Sequence, residues 1–240
     1  MQAQPRLRGL GVGYKKRLLA VAGALRGGAG AVRYVGPAAG EVLARYPETL
    51  IGSGRVQAWV AGPGLGERRP GEVERLLAQD VPLLVDADGL RGLSPEALRR
   101  RSAPTLLTPH AGEAAALLGV DRAAVEAERL GSARELAARY GATVLLKGST
   151  TLVCDPDPAV PVRVNPTGTA WLATAGSGDV LAGLAGSLLA AGLGARDAGS
   201  AAAYLHGLAA RHAAAGAPVV AQQVAEALPA AWRTVRTGLA

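Results

Sequence analysis

The chain has 240 residues, of which 49% are hydrophobic, so it is long enough for one α/β domain with a large apolar core. Its net charge is +7, but the arginines are spread over helical segments and no basic run is interleaved with aromatic residues, which argues against nucleic-acid binding. Cys154 is the only cysteine, which excludes an internal disulfide and fits a reducing cytoplasm.

The first segment, residues 1–16, lacks the pattern of a strand. It contains Pro5, which has no backbone N–H, and Gly9, Gly11 and Gly13, which weaken strand interiors.

From residue 31 onward, apolar runs typical of strands alternate with patterns typical of helices. The predicted strands are 31–35, 57–61, 82–85, 105–108 and 143–146, and helices are predicted within 38–46, 70–79, 95–101, 111–118 and 122–140. This βαβα order predicts a mostly parallel central sheet with helices on both faces.

The pattern changes after Lys147. Two short strands, 150–154 and 160–164, are predicted on either side of a Pro-containing hairpin loop, and helices follow at 178–191, 197–214 and 221–236. The uncharged stretch in the first of these helices is shorter than the roughly 20 apolar residues of a membrane span, so we expect a buried central helix and no membrane association. Since ligands bind beyond the C-terminal strand ends of such sheets, the connecting loops are expected to share one crevice.

The most informative stretch is 165–183, which contains Gly176, Ser177 and Gly178 just ahead of the apolar helix. Glycines allow the backbone to approach a ligand closely, and the N–H groups and dipole of a helix N-terminus favour an anion. The three residues therefore predict an anion-binding turn suited to phosphate. Asp179 at its edge is placed to take a proton from a hydroxyl that attacks phosphorus. The simpler interpretation is that Ser177 or Asp179 only caps the helix.

At these residues the chain resembles the ribokinase-like superfamily, whose signature is a Gly-x-Gly-Asp turn with a catalytic Asp. More narrowly, it resembles the ADP- or ATP-dependent NAD(P)H-hydrate dehydratases. Further family motifs have counterparts in the same order: Gly-Pro-Gly-Leu-Gly at 62–66, Asp-Ala-Asp-Gly-Leu at 86–90, Thr-Pro-His-Ala-Gly-Glu at 108–113 and Lys-Gly-Ser-Thr-Thr at 147–151. The resemblance implies a ribokinase-like dehydratase domain over 17–240, preceded by an atypical N-terminal segment, 1–16. Residues 17–26 resemble the later part of the family's first helix, so a helix is expected there.

The resemblance also implies roles for individual residues. Asp179 is the expected catalytic base and, with Gly64 and His110, is expected to bind the hydrated dinucleotide. Glu113 is a candidate for holding Mg²⁺ through water. The nucleotide is assigned to Gly178 and to the turn Lys147, Gly148, Ser149, Thr150 and Thr151. Plainer interpretations stay open for these positions: the glycine loop as an ordinary βα turn, the polar turn as an ordinary hairpin, and His110 as a structural hydrogen-bonding group.

The implied reaction is the nucleotide-dependent dehydration of hydrated NADH or NADPH. ADP or ATP phosphorylates the ring hydroxyl with the help of Mg²⁺, and phosphate then leaves, restoring the ring double bond. Two alternatives stay open: a small-molecule kinase of the same superfamily acting on a vitamin-precursor alcohol, and an inactive truncated copy that binds nucleotide only. The expected partners are the dinucleotide and the nucleotide, without nucleic acid or membrane, in a cytoplasmic homo-oligomer. His206 and His212 are predicted to be structural.

Overall fold

The computed structural model describes residues 12–66 and 71–238. Its helices are α1 Val12–Arg26, α2 Ala39–Arg45, α3 Glu72–Leu77, α4 Pro95–Arg99, α5 Ala111–Leu118, α6 Arg122–Ala127, α7 Arg129–Tyr140, α8 Ser177–Ala190, α9 Ala195–Ala214 and α10 Ala221–Thr237. Its strands are β1 Arg33–Tyr34, β2 Leu50–Ile51, β3 Trp59–Ala61, β4 Leu83–Val85, β5 Thr105–Leu107, β6 Thr143–Leu146, β7 Thr151–Cys154 and β8 Arg163–Asn165. Short 3₁₀ helices lie at Ala87–Leu90 and Ala170–Leu172.

The central sheet has six strands in the order β3-β4-β5-β6-β7-β8. The pairs from β3 to β6 are parallel, and β7 and β8 extend the sheet in antiparallel fashion. Successive strand residues alternate between two apolar cores: Leu84, Leu106 and Leu145 pack with α1, α8, α9 and α10, while Leu83 and Leu107 pack with helices α3 to α7. The predicted fold class, a mostly parallel sheet with helices on both faces, is confirmed.

Several element predictions differ from the structure. The strand expected at 31–35 is only Arg33–Tyr34, and it pairs with the unpredicted Leu50–Ile51 in a separate two-stranded parallel sheet. The strand expected at 160–164 is Arg163–Asn165 instead, because its register is set by pairing of Thr151 with Asn165. Two- and three-residue strands are too short to show an apolar period, so their bounds depend on tertiary pairing.

The predicted helix at 17–26 is longer in the structure, where α1 begins at Val12. The expected segment boundary at residue 16 therefore falls inside this helix, while residues 1–11 of the atypical segment lie outside the described part. Across the described ranges, every helix is either too short or too polar to cross a bilayer.

Helices α1 and α8 approach each other closely through two glycines. A Cβ at Gly183 would overlap the carbonyl oxygen of Ala20 and lie 2.8 Å from the backbone N of Ala24, and one at Gly23 would overlap the carbonyl of Val180. Since the obstructing atoms belong to the backbone, they cannot move aside cheaply. This contact fixes the N-terminus of α8, and with it the predicted anion turn.

We expect Gly183→Ala to lower the free energy of unfolding by about 1–3 kcal/mol, the usual cost of overpacking. Thermal unfolding checks this. The matched control is Gly40→Ala in α2, where a Cβ would meet nothing within 4 Å. Because alanine has a higher helix propensity than glycine, this control in the first turn of α2 is expected to be neutral or slightly stabilising. Equal melting temperatures for the two variants would contradict the packing argument.

Candidate active site

The C-terminal ends of the parallel strands bring the predicted motifs together. Pairing continues past the strands, because the N–H of Asp86 donates to the carbonyl of Ala61 at 2.9 Å and the N–H of Lys147 donates to the carbonyl of Pro109 at 2.8 Å. Gly62 has φ +125° and its α-carbon faces the backbone carbonyl of Asp86, where a side chain would overlap. Glycine is therefore required at this strand end.

Lys147 forms the centre of a charged cluster. Its Nζ lies 2.6 Å from Asp86 Oδ1 and 3.6 Å from Glu113 Oε2, and the side chains of Lys147, Asp86 and Glu113 are only 17%, 2% and 20% exposed. Burial favours the neutral amine, but the neighbouring carboxylates of Asp86 and Glu113 outweigh it, so the pKa of Lys147 is raised and the side chain stays charged.

The anion turn predicted at 176–178 opens α8. Gly176 adopts φ +92°, and its α-carbon faces Leu19 of α1 so closely that a side chain would overlap it. Ser177 Oγ donates to the carbonyl of Leu172 at 2.7 Å, while its N–H donates to the carbonyl of Thr174 at 3.3 Å. A Cβ at Gly178 would lie 3.4 Å from Lys147 Nζ, so the ammonium lies against the turn. The turn and the lysine therefore form one positively polarised surface.

Asp179 follows this turn and is only 5% exposed. Burial raises its pKa from 3.8 to about 7, the negative charge of Asp86 adds to this, and Lys16 and Lys147 oppose it. A carboxyl with this pKa exchanges its proton near neutral pH, as a general base in a phosphoryl transfer requires.

His110 and Glu113 make reciprocal bonds at the start of α5. His110 Nδ1 accepts the N–H of Glu113 at 3.1 Å, and the N–H of His110 donates to Glu113 Oε2 at 2.8 Å. This capping box fixes both side chains, and Glu113 Oε2 lies 3.6 Å from Lys147 Nζ. The imidazole is 59% exposed, so it can also contact a ligand at this edge of the sheet.

The glycine-rich loop after β3 is held from two sides. Arg17 of α1 donates from Nη2 to the carbonyl of Gly64 at 2.6 Å, and the N–H of Gly66 donates to Asp88 Oδ2 at 3.0 Å. The carboxylate of Asp88 therefore orders this loop.

The polar turn 147–150 lies between β6 and β7. Within the described ranges, the backbone N–H groups of Gly148, Ser149 and Thr150 have no acceptor at hydrogen-bonding distance. The Ser149 carbonyl oxygen lies 3.0 Å from the position that a Cβ at Gly168 would take, so this turn touches the loop that leads to the anion turn. These N–H groups are therefore available to hydrogen-bond a ligand.

The loop that leads to the anion turn is anchored to α9. Arg211 donates from Nε to the carbonyl of Thr167 at 2.7 Å and lies 3.3 Å from the carbonyls of Pro166 and Gly168. His206 of the same helix is 5% exposed, and its Nε2 has no hydrogen-bond partner among the described residues. Burial lowers the pKa of His206 to about 4, opposed by a hydrogen bond with the Ser177 backbone, so the ring is neutral at pH 7.

Within the described residues, no group of three or more His, Cys, Asp and Glu side chains could hold a metal ion. The carboxylates of Asp86 and Glu113 are both engaged by Lys147. Of these two carboxylates, Glu113 is the more exposed, at 20% against 2% for Asp86, and is accessible for a contact through water.

The structure thus brings Asp179, the anion turn, Lys147, His110 and the 147–150 turn to one edge of the sheet. Sequence reasoning missed Arg17, Arg129 and Arg211 as the residues that hold the loops. Nothing in the sequence indicates these contacts, because they join positions between 17 and 47 residues apart.

A sequence profile described as NAD(P)H-hydrate dehydratase matches residues 17–230. The bifunctional NAD(P)H-hydrate repair enzyme Nnr of Mycobacterium tuberculosis is 50% identical over 185 residues, which cover 73% of this chain and 38% of that protein. The ADP-dependent (S)-NAD(P)H-hydrate dehydratase of Neisseria meningitidis serogroup B is 42% identical over 210 residues, covering 81% of this chain and 70% of that protein. The chain spans only 38–43% of the length of the mycobacterial relatives.

Among solved structures, the ADP/ATP-dependent NAD(P)H-hydrate dehydratase of Bacillus subtilis, co-crystallised with ATP and Mg²⁺, superposes with a TM-score of 0.83 at 28% identity. The superposition covers 92% of this chain and 85% of that one. A hydroxyethylthiazole kinase from Pyrococcus horikoshii has a TM-score of 0.60 at 18% identity, covering 91% of this chain and 93% of that one, which indicates a shared fold only.

Proposed function

Because the chain belongs to the NAD(P)H-hydrate dehydratase family, we propose that it dehydrates hydrated NADH and NADPH at the expense of ADP or ATP. The observation that carries this proposal is the position of Asp179, a buried carboxyl with a pKa of about 7 beside a helix N-terminus and an ammonium group. The names of the Neisseria and Bacillus relatives, which are ADP- or ADP/ATP-dependent dehydratases, support the choice of substrates.

In the proposed reaction, the Asp179 carboxylate takes the proton of the hydroxyl on the hydrated nicotinamide ring. The hydroxyl oxygen forms a bond to the terminal phosphorus of the nucleotide, and the bond from that phosphorus to the bridging oxygen breaks, releasing AMP from ADP or ADP from ATP. The ring carbon then loses inorganic phosphate while a neighbouring carbon loses a proton. The electron pair left by that proton forms the ring double bond.

The residues around Asp179 supply positive potential for the transferred phosphoryl group. Lys147 Nζ and the N-terminus of α8 at Gly178 lie together, and the free N–H groups of Gly148, Ser149 and Thr150 are on the adjoining turn. Phosphoryl transfer depends mainly on positioning and charge stabilisation, which these groups provide. We assign them, with Thr151, to the nucleotide.

We assign the hydrated dinucleotide to His110 and Gly64, together with Asp179. His110 is fixed by its capping box yet half-exposed, and Gly64 belongs to a loop that Arg17 and Asp88 hold in place. A bound Mg²⁺ supplies charge neutralisation on the phosphates, and the carboxylate of Glu113, 20% exposed, is the group we propose to hold it through water.

The direct test is to incubate the purified chain with hydrated NADH, Mg²⁺ and either ADP or ATP. We expect recovery of the near-ultraviolet absorbance of NADH with one phosphate released per NADH formed. No recovery with either nucleotide, together with stable phosphorylation of an added vitamin-precursor alcohol, would replace this proposal by the kinase alternative. Nucleotide binding without any turnover would favour the inactive copy.

A further inference from the structure

One arginine of α7 binds backbone carbonyl groups at the 147–150 turn. Arg129, the first residue of α7, lies with Nη2 at 3.4 Å from the carbonyl oxygen of Leu146, 3.3 Å from that of Lys147 and 3.0 Å from that of Thr150. Three carbonyl oxygens that converge on one point repel each other. A guanidinium offsets this repulsion because it is always charged, and its Nη2 carries two N–H donors.

The neighbouring glycine leaves space for this contact. A Cβ at Gly148 would overlap the guanidinium of Arg129. Gly148 is exposed and does not have a positive φ, so neither burial nor backbone conformation requires glycine there. A side chain at this position would therefore have to displace the end of the Arg129 side chain.

The carbonyl groups and the N–H groups of the turn differ in their partners. Its carbonyl groups at Lys147 and Thr150 are bound to Arg129, while its N–H groups at Gly148, Ser149 and Thr150 lack acceptors in the described ranges. If the guanidinium is removed, the carbonyls of Lys147 and Thr150 lose their donor, and the peptide unit that joins the Lys147 carbonyl to the Gly148 N–H can rotate. The free N–H groups would then no longer be held in one arrangement.

We propose that Arg129 is a positioning residue for nucleotide binding, which holds the carbonyl groups of the 147–150 turn on the α7 side so that its N–H groups meet the nucleotide phosphates. This inference rests on the proposed function, since it takes the turn as the nucleotide site. Arg129 acts through the turn and touches neither substrate.

The test measures binding and kinetics of Arg129→Ala with each substrate. We expect the Kd for a non-hydrolysable ATP analogue with Mg²⁺, and the KM for ATP, to rise by at least about tenfold. The KM for hydrated NADH and the kcat at saturating ATP should change by less than about threefold. Arg129→Lys is expected to recover part of the loss, because it keeps the positive charge on a shorter side chain.

A matched control lies on the same helix. Arg139 also donates to two carbonyls, those of Leu117 and Leu118 at 3.1 and 3.2 Å, but these belong to α5. Arg139→Ala should therefore leave the ATP KM unchanged even if it lowers the melting temperature. Equal rises in the ATP KM for the two variants, or equal weakening of both substrates in Arg129→Ala, would overturn the proposal.

Gly148→Ala gives a second test that does not depend on Arg129→Ala folding. The added methyl displaces the flexible guanidinium, so Gly148→Ala should raise the ATP KM nearly as much as Arg129→Ala. In the double variant the two effects should not add. If Gly148→Ala weakens ATP binding equally with and without Arg129, the methyl blocks the nucleotide directly and the inference is wrong. A wild-type chain that neither binds ATP nor dehydrates its substrate would overturn the proposed function itself, and this inference with it.

Discussion

Asp179→Asn is expected to lose turnover by about 10²–10⁴-fold, the usual effect of removing a positioned general base. Asparagine is nearly isosteric with aspartate but cannot accept the proton of the ring hydroxyl. Binding of ATP should be retained or slightly strengthened, because the carboxylate that repels phosphate is gone. Stopped-flow recovery of NADH absorbance measures the first effect and calorimetric titration the second.

The dependence of wild-type kcat/KM on pH should report the ionisation of Asp179. Since only the ionised carboxylate accepts a proton, kcat/KM is expected to fall about tenfold per pH unit below the pKa of about 7 that burial and Asp86 give Asp179. Asp86→Asn removes a negative charge that raises this pKa, so the acidic limb should move to lower pH. A profile that is flat between pH 5 and pH 8, within the stable range of the fold, would remove Asp179 from the proton transfer.

Asp179→Asn should also stabilise the fold. The pKa of Asp179 is raised from 3.8 to about 7, so the native state binds more protons than the unfolded state between these values, and stability falls as pH rises through this window. Asp179→Asn removes this penalty, so it should raise the free energy of unfolding at pH 8 by about 1–3 kcal/mol. The gain should shrink towards pH 4. A less stable variant at pH 8 would show that the ionised carboxylate is better satisfied than its burial indicates.

Lys147→Ala is expected to affect stability and nucleotide binding together. Asp86 is 2% exposed and would lose its partner at 2.6 Å, which for a buried pair costs about 3–5 kcal/mol. Loss of a charge-assisted contact to phosphate should also raise the Kd for ATP by at least about tenfold. Chemical denaturation and calorimetric titration measure the two effects.

A double variant separates these roles. Lys147→Ala with Asp86→Asn no longer leaves a buried charge unpaired, so most of the stability should return. The affinity for ATP should remain weak, because no ammonium lies beside Gly178. The affinity for hydrated NADH should change less than that for ATP. If ATP affinity returns with stability, Lys147 serves to neutralise Asp86 and the nucleotide assignment is wrong.

The sequence by itself determined the fold class and the family. Apolar runs of strand length alternate with helical patterns, and this order permits few arrangements other than a parallel sheet between two helical layers. The anion turn could also be located from sequence, because glycines ahead of an apolar helix have a local physical meaning. The two ends of the helix Ala111–Leu118 follow from local chemistry as well. His110 and Glu113 form a capping box at its start, and Gly119 marks its end.

Only the tertiary structure decided how the site is charged and held. The bond between Lys147 and Asp86 joins residues 61 positions apart, and the pKa of Asp179 depends on burial and on charges from three other segments. Likewise, Arg129 binds carbonyl groups 17 to 21 positions away. A backbone carbonyl is present at every residue, so no sequence pattern distinguishes the ones that a guanidinium will reach. Such contacts are fixed by how the strands and helices pack, which is a property of the whole chain.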